Sequence, residues 1–111
     1  MTPDSSLSFV SQAAVFSALG DTHRLAILNQ LGNGKQQSIT RLADGASITR
    51  QAVTKHLRVL EGAGLIQREQ QGREMLFRIQ TKNLDLARES LDTISRQWDA
   101  ALQSLRAFVE D

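Results

Sequence analysis

The sequence predicts a mainly α-helical protein with one small β-hairpin. Apolar residues recur at helical spacing through most of the chain, whereas apolar and polar residues alternate only near residues 74–79. A seven-residue apolar repeat then continues from Leu84 to Phe108 without proline or glycine. Together these patterns predict five helices, with a two-stranded hairpin between the fourth and the fifth.

The composition favours a single domain over residues 1–111 and excludes several chemistries. The chain has 41% hydrophobic and 23% charged residues and no cysteine. Without cysteine there are no disulfides, thiolate metal sites or cysteine nucleophiles. The N-terminus has no basic segment before its apolar residues, and no apolar run approaches about 18 residues, so we expect a cytoplasmic protein without a membrane segment.

Two helices are predicted in the N-terminal segment, residues 8–34. In the first, Ala13 follows Phe9 by about one helical turn, and Gly20 ends the helix. Asp21 is placed to cap the second helix, which a Gly-Asn-Gly sequence ends.

Residues 35–64 contain the tetrapeptide Ser-Ile-Thr-Arg twice, and each copy is predicted to start a helix. Ser38 is the expected N-cap of a helix of about two turns, which the next glycine ends. In the second copy Thr49 is the expected N-cap, because Ile48 and Val53 then take the two positions of a hydrophobic staple. A short helix, a glycine-containing turn and a longer helix with a polar start are typical of a helix-turn-helix motif.

Residues 65–80 are predicted to form a two-stranded hairpin around a Gln-Gln-Gly-Arg turn. We expect Arg68 and Arg78, on its strands, to pair with Glu69 or Glu74. A hairpin directly after a helix-turn-helix motif is a wing, so the fold class is a winged helix-turn-helix.

Residues 82–109 are predicted to form one long dimerisation helix with a continuous apolar seam. Its 28 residues would measure roughly 42 Å, more than a domain of this size covers. We therefore expect a homodimer built on this helix with help from the first one. The alternative is a helix that packs entirely over its own core. The candidate interface residues are Phe9, Ala13, Leu84, Leu91, Ile94, Trp98 and Leu105.

The charge is concentrated in the middle of the chain. Residues 35–81 hold eight basic and four acidic residues, although the whole chain has a net charge of only +1. A basic block between mildly acidic flanks suits an anionic polymer such as nucleic acid.

Three segments of this chain resemble motifs of the ArsR/SmtB family of winged-helix transcriptional repressors. The family's first motif resembles FSALGDTHRLAIL, its reading-helix motif resembles TRQAVTKHLRVLEGAGLI, and its wing resembles QGREMLFRI with Gly72 and Arg73 at the tip. The resemblance implies a dimer that binds a promoter palindrome, blocks transcription and often releases DNA when a metal ion or another inducer binds.

The chain departs from the family pattern at Thr22 and His23, which replace the usual Pro-Thr of the first motif. It also differs from the metal-sensing members, because the short third helix has no cysteine and the last helix has no histidine. The chain instead resembles metal-independent members with a Trp-Asp pair in the last helix, here Trp98 and Asp99. We therefore expect neither a metal site nor a cofactor, and the inducer is unknown.

The start of the second helix of the motif is the expected reading surface. Arg50 and Gln51 are the best candidates for base contacts, because arginine bridges O6 and N7 of guanine and glutamine bridges N6 and N7 of adenine. Thr54, Lys55 and Arg58 suit phosphate or mixed contacts, and an arginine at the wing tip suits the minor groove or its phosphates. The candidate DNA-binding residues are Thr49, Arg50, Gln51, Thr54, Lys55, Arg58 and Arg73.

The sequence gives no support for an enzyme. It has no glycine-rich phosphate loop and no metal cluster, and neither of its two histidines is placed with a nucleophile and an acid. His56 precedes a core leucine, so we expect a packed, hydrogen-bonded side chain. Two alternatives stay open: a winged helix that binds protein without specific DNA binding, and a repressor released by a small-molecule inducer.

Overall fold

The computed structural model describes residues 5–110 of the chain, with side chains described from Phe9 onward. It has the predicted mainly α-helical architecture with a β-hairpin wing, and confirms the winged helix-turn-helix fold. The elements in chain order are α1 (Ser5–Leu19), α2 (Thr22–Leu31), β1 (Gln37–Ser38), α3 (Ile39–Asp44), α4 (Arg50–Gly62), β2 (Ile66–Gln71), β3 (Glu74–Ile79) and α5 (Lys82–Glu110).

The sheet has a third strand that the sequence analysis missed. β1 pairs antiparallel with β3, which lies between β1 and β2. Two residues are too few to give an alternation of apolar and polar side chains, so nothing in the sequence indicated this strand. It fastens the wing to the start of α3, because its last residue is also the N-cap of that helix.

Both N-caps predicted from the repeated tetrapeptide are present. The Ser38 hydroxyl oxygen accepts a hydrogen bond from the backbone N–H of Arg41 at 3.2 Å, and the Thr49 hydroxyl oxygen accepts one from Ala52 at 3.1 Å. The two copies therefore start their helices in different registers. Their isoleucines differ accordingly: Ile39 is the first residue of α3, whereas Ile48 lies outside α4 and packs on the core from there.

The core lies where the helix-turn-helix meets the base of the wing. Its largest fully buried side chains come from α1, α2, α3, α4, the first residue of β2 and the residue before it, and are Val15, Leu31, Leu42, Val53, Leu60, Leu65 and Ile66. One side of α4 faces this core, because Val53, Leu57 and Leu60 are spaced by four and three residues and so share one face of the helix. The opposite side of α4 therefore stays in solvent.

Arg24 connects three helices around the α1–α2 turn. Its guanidinium donates to the carbonyl oxygens of Ala18 at 2.7 Å and Ser17 at 3.2 Å, which belong to the last turn of α1. Its Nη1 also lies 3.3 Å from Nδ1 of His56 on α4. The expectation of a packed, hydrogen-bonded His56 is confirmed.

Helix α5 extends well beyond the core. It contains 29 residues, a length of about 44 Å, yet Ala87 is its only buried residue in the described range. Every described residue from Leu91 onward is exposed. The radius of gyration is 18.5 Å, against about 13 Å for a compact domain of this length, because this helix projects. None of the described helices is long and apolar enough to span a membrane.

Asp21 caps α2 and makes its start sensitive to acid. Its carboxylate accepts hydrogen bonds from the backbone N–H groups of His23 and Arg24 at 2.9 and 3.1 Å. The hydrogen bond from Arg24 is the main reason why the pKa of Asp21 lies below its ordinary value. Desolvation raises the pKa and so opposes this shift. The hydrogen bond from His23 and the nearby charges of Arg24 and His56 lower the pKa further.

We expect Asp21→Asn to flatten the acid limb of the stability profile. A lowered pKa in the folded state stabilises the fold above the unfolded pKa of about 4, and this contribution is lost as the pH falls through the folded pKa. Asparagine caps a helix about as well but does not titrate there. Urea unfolding midpoints at pH 6 and pH 3 should therefore differ more for the wild type than for this variant.

Asp44→Asn is the control, because it removes a carboxylate at the exposed end of α3. The difference from the wild type should be smaller for Asp44→Asn than for Asp21→Asn. Equal pH profiles for the wild type and Asp21→Asn would contradict this account of the cap.

Candidate DNA-binding surface

The solvent side of α4 brings most of the predicted DNA-binding residues together. At about 100° per residue, Arg50, Thr54, Arg58, Gln51 and Lys55 occupy one arc of about 140°. The three buried apolar residues of α4 occupy a separate arc of about 60° that ends next to Arg50. Thr49 lies at its beginning as the N-cap.

Four side chains on this arc are available for a ligand. Arg50, Gln51, Lys55 and Arg58 are exposed, and within the described residues none of them makes a side-chain hydrogen bond or ion pair. Three carry a positive charge and the fourth carries an amide that both donates and accepts. This set matches the phosphates and base edges of a major groove.

The two threonines of the surface differ in the hydrogen bonds they have left. Thr54 is half-buried, and its hydroxyl donates to the carbonyl oxygen of Arg50 at 3.0 Å. A hydroxyl has one donor, so Thr54 retains only acceptor capacity and suits a base amino group better than a phosphate. The Thr49 oxygen accepts the capping bond, which leaves its O–H free to donate to a phosphate.

The wing presents Arg73 at its tip. β2 and β3 pair up to Gln71 and Glu74, which leaves only Gly72 and Arg73 in the turn, two residues fewer than predicted. Gly72 has a φ of +61°. Glycine at the first central position with positive φ is typical of a type II′ hairpin turn. Arg73 is exposed and has no side-chain partner among the described residues.

The other wing arginines do not have the partners expected from the sequence. Arg68 pairs with Glu61 of α4, with Nε 3.0 Å from Oε2, and Arg78 donates to the side-chain oxygen of Gln67 at 3.3 Å. The prediction that Arg68 and Arg78 pair with Glu69 or Glu74 was therefore wrong. Arg68 lies opposite Phe77 in the β-ladder, so its side chain is on the face of the wing that meets α4.

Most candidate interface residues form one exposed apolar surface. On α5 these are Leu91, Ile94, Trp98 and Leu105, of which Trp98 is 65% exposed. Phe9 and Ala13 are exposed on α1, which packs against α5. Leu84 differs, because it is half-buried and packs with Ala87 on the core of its own chain.

The apolar surface is larger than the sequence predicted. Leu102 and Val109 are 56% and 74% exposed and lie in the same stripe of α5 as Trp98 and Leu105. Their spacing of four residues from Trp98 and Leu105 was the signal that the seven-residue repeat concealed. Val10 on α1 was also omitted and is exposed.

Comparison with known proteins agrees with this geometry. The model of a helix-turn-helix domain family matches residues 19–69. The chain is 41% identical over 66 residues to the uncharacterized HTH-type transcriptional regulator YuzN of Bacillus subtilis, a match that covers 54% of this chain and 72% of that protein. It is 32% identical over 85 residues to the HTH-type transcriptional repressor SmtB of Mycobacterium tuberculosis, which covers 77% of this chain and 61% of that protein.

Solved structures extend the likeness over most of the chain. An ArsR-like transcriptional regulator from Rhodococcus sp. RHA1 has a TM-score of 0.80 and 34% identity, with 90% of this chain and 93% of that chain covered. The homodimeric winged helix-turn-helix DNA-binding domain Mb0332 from Mycobacterium bovis has the same fold, with a TM-score of 0.67 and 22% identity, over 94% of this chain and 93% of that chain. These relatives are regulators and not enzymes. The chain belongs to the ArsR family of transcriptional regulators, whose winged helix-turn-helix is a DNA-binding domain.

Proposed function

We propose that the chain is a homodimeric, sequence-specific repressor that acts in the cytoplasm on a palindromic promoter site. The observation that carries this proposal is the exposed arc of α4, on which Arg50, Gln51, Lys55 and Arg58 have no partner in the described part of the chain. These side chains are grouped on one face of a helix that the core holds rigidly. Their backbone positions are therefore fixed before a ligand arrives.

The positions along α4 divide the roles between bases and phosphates. Arg50 and Gln51 lie in the first turn, the part of a recognition helix that reaches base edges. Lys55 and Arg58 lie one to two turns further along and suit the phosphates, as does the free O–H of Thr49. Arg73 on the wing would contact the neighbouring minor groove or its backbone.

The stripe of α5 supports the homodimer. Leu84, Ala87 and every large apolar residue from Leu91 to Val109 lie within about 120° of one another around the helix. The same stripe that packs on the core near Leu84 therefore continues uncovered to the end of the helix. The exposed residues of α1 extend this surface, and a second copy offers the same stripe in return.

A two-fold dimer implies a palindromic operator. Each protomer presents one reading helix, and two-fold symmetry repeats the same base contacts in opposite orientation on the two halves of the site. The Mycobacterium bovis domain of the same fold is homodimeric, and the SmtB relative is a repressor. Both support assembly and negative control for this chain.

Titration of the DNA upstream of the protein's own gene should reveal specific binding. We expect an affinity at least about a thousandfold above that for an unrelated duplex, and a loss of affinity as salt rises because counterions are released from phosphates. Fluorescence anisotropy at several salt concentrations measures both. Equal affinity for the two duplexes would defeat the proposal and favour the protein-binding alternative.

Arg50→Ala and Arg73→Ala should weaken binding in different ways. Loss of Arg50 should remove about 1 to 3 kcal/mol of discrimination at one base pair of each half-site. Loss of Arg73 should lower the affinity more evenly across sequences, with a shallower salt dependence. Anisotropy titration with the site and its single-base variants distinguishes these patterns.

Lys82→Ala is the matched control, because it removes an exposed positive charge at the start of α5, near the base of the wing and away from its tip. It should leave the affinity within about twofold of the wild type, well below the effect of one lost contact. An unchanged affinity in both arginine variants would overturn the assigned roles.

Trp98→Glu should dissociate the dimer. A carboxylate in the middle of the apolar stripe would be buried without a partner when two copies meet, which costs several kcal/mol. Sedimentation velocity at micromolar concentration should show a dimer for the wild type and a monomer for the variant. Gln103→Glu introduces the same group on the opposite face of α5 and should remain dimeric; a monomeric wild type would exclude the proposed assembly.

A further inference from the structure

One ion pair joins the wing to α4, the proposed reading helix. In the described part of the chain, the contact between Glu61 of α4 and Arg68 of β2 is the only ion pair between these two elements, with 3.0 Å between Oε2 and Nε. The Glu61 side chain is 32% exposed and the Arg68 side chain 58%. The pair therefore lies at the surface, beside the face that α4 presents to DNA.

The pair spans a groove that apolar packing does not fill. The groove lies between α4 and the inner face of the wing and has a cavity volume of about 180 Å³. Its lining residues are Ile39, Thr54, Leu57, Arg58, Glu61, Arg68, Met75 and Phe77. Because this space is open, close side-chain packing does not hold the outer half of the wing against α4, although Ile66 and Phe77 at its base are buried in the core.

The outer half of the wing has few other attachments. From Gln67 to Glu74 every residue is exposed. On the face of the sheet opposite to Arg68, Gln36 donates to Glu69 at 3.0 Å and accepts from Gln71 at 3.1 Å. The wing is therefore tied on one face by this amide and on the other by the carboxylate of Glu61.

The sign of the charge makes the position of Glu61 unusual. It is the only acidic residue of α4, follows Arg58 by three residues and lies at the C-terminal end of the arc proposed to meet DNA. A carboxylate beside phosphates opposes binding by electrostatic repulsion. A residue that acted only through its charge would thus weaken the complex.

We propose that Glu61 and Arg68 are positioning residues that set the distance and angle between the reading helix and the wing. Their ion pair holds the wing where Arg73 reaches the DNA while Arg50 and Gln51 contact the bases. This inference rests on the proposed DNA-binding function and assigns to Glu61 a role that acts through the wing.

Glu61→Gln separates the positioning role from simple electrostatics because the two predict opposite signs. Loss of a negative charge next to DNA would tighten binding, whereas loss of the wing position weakens it. Exposed ion pairs contribute up to about 1 kcal/mol, roughly fivefold per protomer. We therefore expect the specific affinity of the dimer to fall by about three- to tenfold, with a shallower salt dependence as Arg73 disengages.

A double-mutant cycle with Arg73→Ala tests whether Glu61 acts through the wing. Arg73→Ala should cost clearly less in the Glu61→Gln background than in the wild type, because the wing tip is already displaced. A purely local effect on α4 would make the two losses add. Arg68→Gln should reproduce the loss seen in Glu61→Gln, and thermal melting should confirm that each variant is folded.

Glu74→Gln is the matched control, since it removes the same charge next to the wing tip from a residue without a tie to α4. It should bind DNA as tightly as the wild type or slightly more tightly. If Glu61→Gln binds equally or more tightly while the wild type binds its site specifically, this inference fails and the proposed function stands. If the wild type shows no preference for its site, both fail.

Discussion

The way in which α1, α2 and α4 are joined depends on the guanidinium of Arg24. The last turn of a helix leaves carbonyl groups short of partners, and at the end of α1 Arg24 donates to Ala18 and adds a second bond to Ser17, whose oxygen also accepts from the N–H of Gly20. The same guanidinium contacts His56 on α4. Because α1 borders the proposed dimer surface and α4 carries the proposed reading surface, this one side chain links the two. Lysine would not replace it, since only the planar fork of arginine donates in several fixed directions at once.

The contact with Arg24 also orients the side chain of His56. Nη1 of Arg24 lies 3.3 Å from Nδ1 of the imidazole. Asp21 lies 3.9 Å from the same nitrogen, and the ring of His23 is 5.7 Å away between centroids. His56 is thus held on three sides by the α1–α2 turn and the start of α2. It anchors the middle of α4 from behind, which leaves the front of the helix free.

Local signals in the sequence predicted the helices and their starts, whereas contacts between distant residues were beyond its reach. Ser38 and Thr49 act on N–H groups three residues away, so the sequence contains the whole interaction. The partner of Arg68 lies on another element, and carboxylates closer in sequence suggested the wrong pairing. The apolar repeat of α5 likewise predicted one stripe. Only the fold decides that Leu84 packs on the core of its own chain and that the apolar residues from Leu91 onward are exposed.

On the proposed function, the uncovered stripe of α5 makes assembly and DNA recognition parts of one equilibrium. Phe108 and Leu105 are 81% and 60% exposed in the single chain, and contact with a second copy removes such apolar area from water at about 25 cal/mol per Å². One reading helix would cover only half of the proposed palindrome, so the free energy of a specific complex would include that of forming the dimer. Arg24 and His56 join α1 to α4, so the proposed dimer surface and the proposed reading surface belong to one packed unit. An inducer would therefore not need to touch DNA-binding residues: a preference for a dimer with another spacing would be enough to release the site.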